Sequence, residues 1–487
     1  MKKNVVWLLI LAVLFILASS FYFLTNKQSQ PAPAGQEISH HADVIVVGAG
    51  ISGLTAALDL AQKGVSVLLL EKEAQVGGRL QSVMFDNIAC NVGAQWVNAG
   101  LSPQVDPYIK RFPLQTIGNE DGGLAFTWKG KLIELKGDTS FDSLPFSEKA
   151  KKDFVASAIQ MRKDAAALYP GIDFNKEKSW DYIYNLPTET PLWKKLEKET
   201  ITQYLSAYDP DVTTLWGTRV SGGFGGSPDT ISALFLVGWY RGSPFFPMTI
   251  LKGGNHLLAE EMAKEFQKYG GKIVLKADVT EISQKGESVH VLCRSGQTYA
   301  SDYCIVTIPA NVAKNIVKGL TPQKHAALAA VQYVPLVAIG LQVKDFPGPE
   351  KISGVLFVKE DTAAYVNQTG VVAGYPKEGT IITICITNKK KVGLSDKETL
   401  AIVCHDLKII NPNFNPDKDI LKYTIKQWPI GEVHMTPGFL SKYGKMLKEP
   451  AGHIYFGGEY ASNFPTWGGG VWAGAKAAKD VLKAMGK

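Results

Sequence analysis

The hydrophobic pattern near the start of the chain predicts a strand, a helix and a second strand in direct succession. Residues 44–47 form a short apolar run, as in a strand that is buried on both faces. Apolar residues then recur every three or four positions between residues 51 and 63, which predicts a helix that Gly64 can end. A second apolar run covers residues 65–70. This order predicts a βαβ unit with a parallel sheet.

Three glycines occupy the turn between the first strand and the helix. Gly48 permits the tight turn, Gly50 lets the backbone approach a pyrophosphate, and Gly53 lets the helix pack close to the sheet. Ser52 lies in the same turn, where the free N–H groups of the helix face the phosphates. Glu71 follows the second strand and can accept hydrogen bonds from both ribose hydroxyls. The segment therefore predicts a dinucleotide site.

The residues after Glu71 indicate which dinucleotide binds. Gly77 and Gly78 allow the backbone to lie against a cofactor, and Arg79 offers a cationic fork to a phosphate oxygen. At these residues the chain resembles the flavin-containing amine oxidase superfamily. That superfamily includes monoamine and polyamine oxidases and, more distantly, protoporphyrinogen oxidases and phytoene-type desaturases. The resemblance implies that the cofactor is FAD.

The resemblance extends over most of the chain after about residue 42. Residues 93–96, G-A-Q-W, resemble an element beside the flavin ring, and Val279 lies in a segment like the strand that pairs with the adenine. Glu459 and Trp472 lie in segments like the closing motif, where an acid contacts the ribityl and phosphate region. The FAD-binding residues that the turn and the resemblance together indicate are Gly48, Gly50, Ser52, Gly53, Glu71, Gly78, Arg79, Gly93, Ala94, Gln95, Trp96, Val279, Glu459 and Trp472.

The resemblance implies hydride transfer from a substrate carbon to the flavin. An amine can lose hydride from its α-carbon only when its nitrogen is neutral, and apolar walls favour the neutral form by desolvation. Candidate wall residues are Trp428, Phe464 and Trp467, with Trp472 close to them in sequence. Trp428 is the first choice, because its place before Pro429 resembles that of a family aromatic residue near the flavin.

One feature departs from the family pattern. Family oxidases commonly carry a lysine on a substrate-domain strand, and the corresponding strand here, residues 333–341, has Ala338 at the matching position. The first hypothesis is oxidation of a small-molecule amine to an imine, with oxygen converted to hydrogen peroxide. A second is a desaturase or dehydrogenase of a hydrophobic substrate, such as a porphyrinogen or polyprene, with another acceptor. A third is a flavin-binding scaffold without turnover.

The N-terminal segment predicts a membrane association. Lys2 and Lys3 precede an uncharged, almost wholly apolar stretch over residues 5–24, which as a helix is about 30 Å long and matches a bilayer core. The lysines favour a cytoplasmic N-terminus and an extracytoplasmic body on a single-pass anchor. The alternative is a signal peptide cleaved near residues 18–20, which would give a secreted protein.

Composition supports a large enzyme and gives little support for other classes. The chain has 487 residues, and its 52 basic and 45 acidic residues give a net charge of +7 without a concentrated basic patch, so we expect no nucleic-acid partner. The five cysteines show no C-x-x-C spacing, and the histidines show no metal-binding pair. Some family members tether FAD through a C-terminal cysteine. Because no cysteine follows Cys404, we expect noncovalent FAD. Because the cysteines and histidines lack metal-binding spacing, we expect no metal.

The predicted fold class is α/β, with a Rossmann-like FAD-binding domain interleaved with an α+β substrate domain, plus the N-terminal transmembrane helix. We expect a membrane anchor and tether over residues 1–41. The expected FAD-domain parts are residues 42–125, 249–310 and 428–487. The expected substrate-domain parts are helical residues 126–248 and a sheet over residues 311–427. Such crossings would place the flavin at the domain junction.

Overall fold

The computed structural model describes most of the chain after the N-terminal segment. The described residues are 38–86, 88–95, 105–118, 124–135, 144–172, 190–240, 249–344, 346, 354–358, 364–367 and 378–487. The predicted anchor over residues 5–24 therefore lies outside the described residues. Within the described part of the chain, no helix combines the length and apolar character that a membrane crossing requires.

The strands fall into two large sheets and two small antiparallel pairs. In chain order they are β1 (Ile38–Val47), β2 (Val67–Leu70), β3 (Ser82–Phe85), β4 (Ile88–Asn91), β5 (Thr116–Gly118), β6 (Leu124–Trp128), β7 (Lys131–Leu135), β8 (Thr249–Leu251), β9 (Lys272–Val274), β10 (Val279–Lys285), β11 (Ser288–Cys293), β12 (Thr298–Val306), β13 (Tyr333–Val343), β14 (Gly354–Leu356), β15 (Ala364–Asn367), β16 (Thr380–Ile386), β17 (Ile420–Val433) and β18 (Ile454–Phe456). The small pairs are β3 with β4 and β5 with β8.

The helices connect and cover these sheets. In chain order they are α1 (Ile51–Ala61), α2 (Asp106–Arg111), α3 (Glu148–Leu168), α4 (Pro191–Lys198), α5 (Ile201–Tyr204), α6 (Pro210–Phe224), α7 (Ala233–Tyr240), α8 (His256–Lys268), α9 (Ala310–Ile316), α10 (Pro322–Ala330), α11 (Asp396–Ile410), α12 (Pro416–Asp419), α13 (Phe439–Lys448) and α14 (Trp467–Ala484). Short 3₁₀ helices cover Lys389–Lys391 and Glu459–Ala461. Side-chain caps begin several helices; Ser395, for example, forms a capping box with Glu398 at α11.

The first large sheet has the order β10-β11-β12-β1-β2-β9, and β18 pairs with β12. The pairs β12–β1, β1–β2, β2–β9 and β12–β18 are parallel. Strand β2 is buried on both faces, which explains its unbroken apolar run: Val67 and Leu69 pack with α1 and α8, and Leu68 and Leu70 belong to the core cluster on the other face. The predicted βαβ unit is thus present as β1, α1 and β2, with α1 ending at Ala61.

The second large sheet has the order β17-β13-β16-β15-β14-β6-β7. Alternate residues of its central strands point to opposite faces, as the period of a strand requires. Val337, Ile339 and Leu341 pack on one face with residues of α11 such as Leu407. Ala338 belongs instead to a cluster that includes Phe85 and Cys90 of the β3–β4 pair. This second face therefore looks toward segments that follow the predicted nucleotide turn.

The two sheets draw their strands from alternating parts of the chain, so the polypeptide crosses between them several times. Two expected domain boundaries fall inside strands of the second sheet: the boundary at residues 125 and 126 cuts β6, and that at residues 427 and 428 cuts β17. Strand pairing is the physical reason, because β17 remains paired with β13 as far as Val433.

Candidate functional site

The carboxyl ends of parallel strands collect the predicted cofactor residues on one edge of the first sheet. Gly48 follows β1, Glu71 follows β2, Thr307 follows β12 and Glu459 lies shortly after β18. These strands run parallel, so the residues that follow them meet at the same edge. Open α/β sheets bind ligands in the crevice at this edge.

The glycine turn is formed by close backbone contacts that side chains would prevent. Gly48 has φ +100°, a conformation that L side chains rarely adopt. A Cβ added at Gly53 would lie 1.8 Å from the Gly48 carbonyl oxygen. The Thr307 hydroxyl lies 2.9 Å from the carbonyl oxygens of both Val47 and Gly48 and can donate to them. The close packing of Gly53 in α1 and the hydroxyl of Thr307, which follows β12, therefore both hold the turn in place.

Open space lies at Gly50, directly before α1. A Cβ added at Gly50 would find no described atom within 4 Å, although its neighbours are tightly packed. The first turns of α1 and α14 meet here, because a Cβ at Gly470 would lie 2.8 Å from the Ser52 hydroxyl. The first turns of both helices lack acidic residues. The positive ends of two helices therefore lie close to the open space at Gly50, which favours an anionic group such as a pyrophosphate.

Glu71 is buried and fixes the turn through both carboxylate oxygens. Its Oε2 accepts a hydrogen bond from the Ala49 N–H at 2.6 Å, and its Oε1 accepts one from the Glu73 N–H at 2.8 Å. A carboxylate oxygen can accept more than one hydrogen bond, so these contacts leave capacity for a ligand hydroxyl. The predicted ribose contact of Glu71 stays a prediction.

The second pair of glycines stacks on the first turn. The Gly77 N–H donates to the Ala49 carbonyl oxygen at 2.8 Å. Gly78 has φ +56°, and a Cβ there would lie 3.2 Å from the Gly50 Cα. The two loops thus lie against each other around the open space at Gly50.

Arg79 forms a two-pronged ion pair with Glu459. Its Nη1 lies 2.6 Å from Glu459 Oε1, and its Nη2 lies 2.6 Å from Glu459 Oε2. Nη1 also donates to the Gly431 carbonyl oxygen at 2.5 Å, which ties β17 to the first sheet. Burial lowers the pKa of Arg79, but Glu459 and Glu432 outweigh that effect and raise it above its ordinary value. The Arg79 guanidinium therefore pairs with Glu459 in this structure, and its expected phosphate contact stays a prediction.

The segment from Gly93 to Gln95 runs against the Arg79 backbone. The Ala94 N–H donates to the Arg79 carbonyl oxygen at 2.9 Å, and a Cβ at Gly93 would lie 2.0 Å from that oxygen. Buried Asn255 donates from Nδ2 to the Ala94 and Gln95 carbonyl oxygens at 2.8 and 3.1 Å. The segment is thus clamped from both sides. Trp96 lies outside the described residues.

Two other predicted cofactor residues lie at the rim of this region. Val279 is buried at the start of β10, and the preceding Ala277 donates its N–H to the Glu71 carbonyl oxygen at 2.8 Å. Trp472 is partly buried on α14, and the Lys448 ammonium lies 5.6 Å from its ring centroid. Their roles toward FAD stay predictions.

The aromatic residues expected in the substrate pocket pack in three different clusters. Trp428 donates from Nε1 to the Val92 carbonyl oxygen at 2.7 Å and packs with the Ala338 cluster. Phe464 is fully buried and stacks on Phe235 with a centroid distance of 5.3 Å. Trp467 packs with the α1 and α14 residues of the first sheet. Trp428 is thus the member of the three that lies on β17 and packs on the Ala338 face of the second sheet.

A lysine is present on the Ala338 face of the second sheet, although β13 itself supplies none there. Ala338 lies opposite Cys385 of β16 and opposite Lys426 of β17. Directly opposed residues project to the same face of a sheet. The Lys426 ammonium lies 4.8 Å from the Trp428 ring centroid. The row Cys385, Ala338 and Lys426 is called the cleft face below.

Sequence reasoning missed several polar residues of this region. Asn91 accepts the Asn255 N–H at 3.0 Å through its side-chain oxygen, and both amides are buried. In the sequence these two residues are marked only by their neighbours: Asn255 follows the glycine pair 253–254, and Asn91 lies shortly before the G-A step at residues 93–94. Lys426 and Glu432 were missed because β17 comes from a distant part of the chain. Among the described residues, no group of acidic, histidine and cysteine side chains could hold a metal ion.

The residues present fit FAD. The open cradle at Gly50, the two helix ends and the buried acid Glu71 supply what a dinucleotide requires at its phosphates and ribose. All five cysteines are free thiols, and residues 405–487 contain none. The fit thus rests on this chain's own turn and helix geometry.

Comparison with known proteins identifies similar chains. A family model described as flavin containing amine oxidoreductase matches residues 51–482. A flavin-containing amine oxidase of Oncorhynchus mykiss is 27% identical, over 91% of this chain and 86% of that protein. An L-amino-acid oxidase of Demansia vestigiata is 28% identical, over 93% of this chain and 89% of that protein.

Solved structures agree in fold. A putrescine oxidase variant has a TM-score of 0.76 at 20% identity and covers 91% of this chain and 99% of its own. A cyclohexylamine oxidase from Brevibacterium oxydans has a TM-score of 0.73 at 18% identity, over 92% of this chain and 100% of its own. These matches show that the interleaved α/β architecture is shared.

Proposed function

Since the chain belongs to the flavin-containing amine oxidoreductase family, we propose that it oxidises a small-molecule amine to an imine with FAD as the hydride acceptor. The observation that carries this proposal is the open cradle at Gly50, where the first turns of α1 and α14 meet. The protein is a flavin-dependent oxidoreductase by family. The names of the relatives point to substrates with an amino group.

The residues of the first sheet would hold the cofactor without contributing to the bond changes. The N–H groups of α1 and α14 would face the phosphates, and Glu71 would accept ribose hydroxyls. Glu459, held by both Arg79 nitrogens, would present its remaining acceptor capacity to the ribityl region. Bound FAD supplies the site that accepts the substrate hydride.

The residues of the second sheet would contact the substrate. Trp428 is fixed by its bond to the Val92 carbonyl oxygen, so its ring cannot turn freely beside the cleft face. An aromatic surface lowers the pKa of an amine by desolvation and so favours the neutral nitrogen that hydride loss requires. The imine would then hydrolyse to a carbonyl compound in water.

The decisive experiment is anaerobic reduction of the purified holoenzyme by a panel of compounds. The panel contains benzylamine, cyclohexylamine, putrescine, leucine, a porphyrinogen and a polyprene. We expect at least one amine to bleach the flavin absorbance and to give hydrogen peroxide when air is readmitted. Bleaching by the porphyrinogen or polyprene alone would replace amine oxidation by desaturation. A flavin that no compound bleaches would favour a non-catalytic scaffold.

A second candidate, a dehydrogenase with a non-oxygen acceptor, is favoured by one observation. Ala338 is fully buried where family oxidases commonly have a lysine. The lysine on the same face, Lys426, comes from the neighbouring strand and lies over Trp428. Rapid bleaching by an amine, followed by slow reoxidation in air and fast reoxidation by a quinone, would support the dehydrogenase.

We also infer that the chain is tethered to a membrane by residues 5–24, with the body on the extracytoplasmic side. The support is the length of the uncharged stretch and the preceding Lys2 and Lys3. Expressed full-length protein should sediment with membranes and resist extraction by high salt or carbonate. Release into the soluble fraction with a shortened N-terminus would favour the cleaved signal peptide instead.

A further inference from the structure

The outward side of α3 carries a stripe of basic and apolar residues. The helix has 21 residues and is about 31 Å long. Its inward residues, such as Phe154, are buried and recur at helical spacing. The residues of the opposite side follow one another at steps of three or four positions: Lys152, Val155, Ile159 and Lys163. These four residues are called the outer face below.

Packing on the inward side fixes which residues α3 turns outward. Phe154 stacks on Trp216 of α6 with ring centroids 5.3 Å apart. The Ser157 hydroxyl accepts a hydrogen bond from the Trp216 indole N–H at 3.1 Å. These three residues are buried, so the helix cannot rotate about its axis without losing both contacts. The outer face therefore stays directed away from the core.

Two exposed apolar side chains occupy the middle of the outer face. Val155 is 41% exposed and Ile159 is 51% exposed, and they lie one helical turn apart. Among the described residues, no other two exposed large apolar side chains share a turn of one helix. Helix formation does not require them, because β-branched residues have a lower helix propensity than the alanines beside them. A partner that covers the pair accounts for its presence.

The basic residues of the outer face lie at either end of the apolar pair. Lys152 and Lys163 are both exposed. The acidic residues of α3 bond to other side chains: Glu148 pairs with Lys151, Asp153 pairs with Lys149, and Asp164 accepts the Tyr204 hydroxyl. Neither Lys152 nor Lys163 shares in these bonds. An apolar centre between lysines is typical of helices that lie on anionic lipid surfaces.

The position of the proposed anchor favours a membrane as the partner of this face. The anchor, residues 5–24, is joined to Ile38 at the start of β1 by the thirteen residues 25–37. A fully extended segment of this length spans about 45 Å. The body therefore stays beside the bilayer, where even a weak contact forms at a high effective concentration. Two apolar residues are too few for a stable protein interface, which takes about 20–30 residues on each side.

We propose that the outer face of α3 lies on an anionic lipid bilayer and forms a second membrane contact beside the anchor. Val155 and Ile159 enter the interfacial layer, and Lys152 and Lys163 lie at the lipid phosphates. The contact restrains the orientation of the body over the bilayer. The proposal rests on the membrane tether proposed above and is independent of the oxidation chemistry.

The test places a fluorescent reporter on the same side of α3. Ala166 is exposed and lies seven residues after Ile159, so Ala166→Cys labelled with an NBD fluorophore reports the contact and leaves the outer face intact. The labelled full-length protein is reconstituted in nanodiscs of phosphatidylglycerol and phosphatidylcholine in equal parts, or of phosphatidylcholine alone. We expect blue-shifted emission, and quenching by spin-labelled lipid, in the anionic nanodiscs. Wild-type protein treated with the fluorophore gives the background from the native cysteines.

A second label position and added salt define the contact. Val312 on α9 is exposed to a similar degree, so Val312→Cys is the matched control and its label should stay in water. About 0.5 M salt shortens the Debye length to about 4 Å and should weaken the Ala166 response. The protein itself should remain in the nanodisc, because salt does not release a transmembrane anchor. Equal responses at Ala166 and Val312 in anionic nanodiscs would overturn the proposal.

Variants assign the contact to the outer face. In the Ala166→Cys protein, Ile159→Ser should weaken the contact about tenfold, because the isoleucine side chain no longer enters the interfacial layer. Lys152→Gln and Lys163→Gln together should weaken it about tenfold or more, because each lysine is attracted to the anionic surface. Lys397→Gln, at an exposed position of α11, is the matched control and should leave the response unchanged. A response that the outer-face variants also leave unchanged would overturn the proposal.

Failure of the outer face can be told apart from failure of the tether. Protein that is released from membranes with a shortened N-terminus would contradict the tether. The released labelled protein is then mixed with vesicles of the same anionic lipids: a response that Ile159→Ser removes supports the outer face, and no response overturns it. A response that appears without lipid and grows with protein concentration would assign the face to a second copy of the chain and overturn the membrane contact.

Discussion

The nucleotide turn, residues 48–79, and the cleft face of Cys385, Ala338 and Lys426 are the two parts of the proposed site, and they are built in different ways. The nucleotide turn is almost continuous in sequence, and it combines close backbone contacts, as at Gly53 and Gly77, with hydrogen bonds to the Glu71 carboxylate. The cleft face is assembled from three strands that lie far apart in the chain. Under the proposed function, cofactor recognition would therefore be fixed locally, whereas the surroundings of the substrate would depend on long-range strand pairing.

This difference predicts different tolerance to change. At Gly53 and Gly77, backbone atoms of the nucleotide turn leave no room for an added Cβ, so a single methyl group should be decisive at these two positions. On the cleft face the backbone is an ordinary antiparallel ladder, and side chains can be exchanged with smaller losses of stability. The following variants test this contrast, beginning with the largest expected effect.

Gly53→Ala should disrupt the nucleotide turn itself. The added Cβ would lie 1.8 Å from the Gly48 carbonyl oxygen and 2.8 Å from the Thr307 hydroxyl oxygen. We expect a loss of about 3 kcal/mol or more in the free energy of unfolding, together with loss of FAD. Thermal unfolding and flavin content measure both. Gly444→Ala in α13 is the control, since its Cβ would meet its nearest neighbour at an ordinary 3.5 Å. That control should be neutral or stabilising by up to about 1 kcal/mol.

Gly50→Val should separate cofactor binding from folding. The position has φ −70° and no described atom within 4 Å of an added Cβ, so the fold has room for a side chain. The same space is where the pyrophosphate would lie. We expect the apoprotein to unfold at the wild-type temperature while FAD affinity falls about a hundredfold, or roughly 2.7 kcal/mol. Wild-type FAD affinity in this variant would contradict the assignment of the open space at Gly50 as the pyrophosphate site.

Glu71→Ala should weaken FAD retention less severely. The change removes the expected ribose acceptor and the acceptor of the Ala49 N–H. A hydrogen bond to a charged group contributes about 1.5–3 kcal/mol, so we expect an affinity loss of about tenfold to a hundredfold. Titration of the apoprotein with FAD gives the value. Unchanged affinity and full occupancy would contradict the assignment of Glu71.

Trp428 variants should have the smallest effect on the protein and a selective effect on the substrate. Trp428→Phe removes the 2.7 Å hydrogen bond to the Val92 carbonyl oxygen and should cost about 1 kcal/mol of stability. Trp428→Ala should change kcat/KM for the amine while FAD stays bound. The comparison of the two variants separates the hydrogen bond from the ring surface. Normal turnover in Trp428→Ala would show that Trp428 only packs against its neighbours and does not contact the substrate.

The sequence predicted the parts of the site whose geometry is local. The order of β1, α1 and β2 and the positions of Gly48 and Glu71 follow from apolar periodicity and glycine placement alone. Lys426 could not be predicted to face Ala338, because that requires the register of β13 against β17. The Arg79–Glu459 pair likewise joins residues 380 positions apart. Phe464 stacks on Phe235 and both rings also line a small cavity, so its expected place in a substrate pocket stays a prediction, and its neighbours could not be read from the sequence because they are set by tertiary packing.

The central claim is that the nucleotide turn binds FAD noncovalently. Its most direct test is the flavin content of purified full-length protein, before and after acid precipitation. We expect one FAD per chain with a flavin absorbance spectrum, and release of all the FAD into the supernatant by acid. Colourless protein that does not bind added FAD would contradict the account.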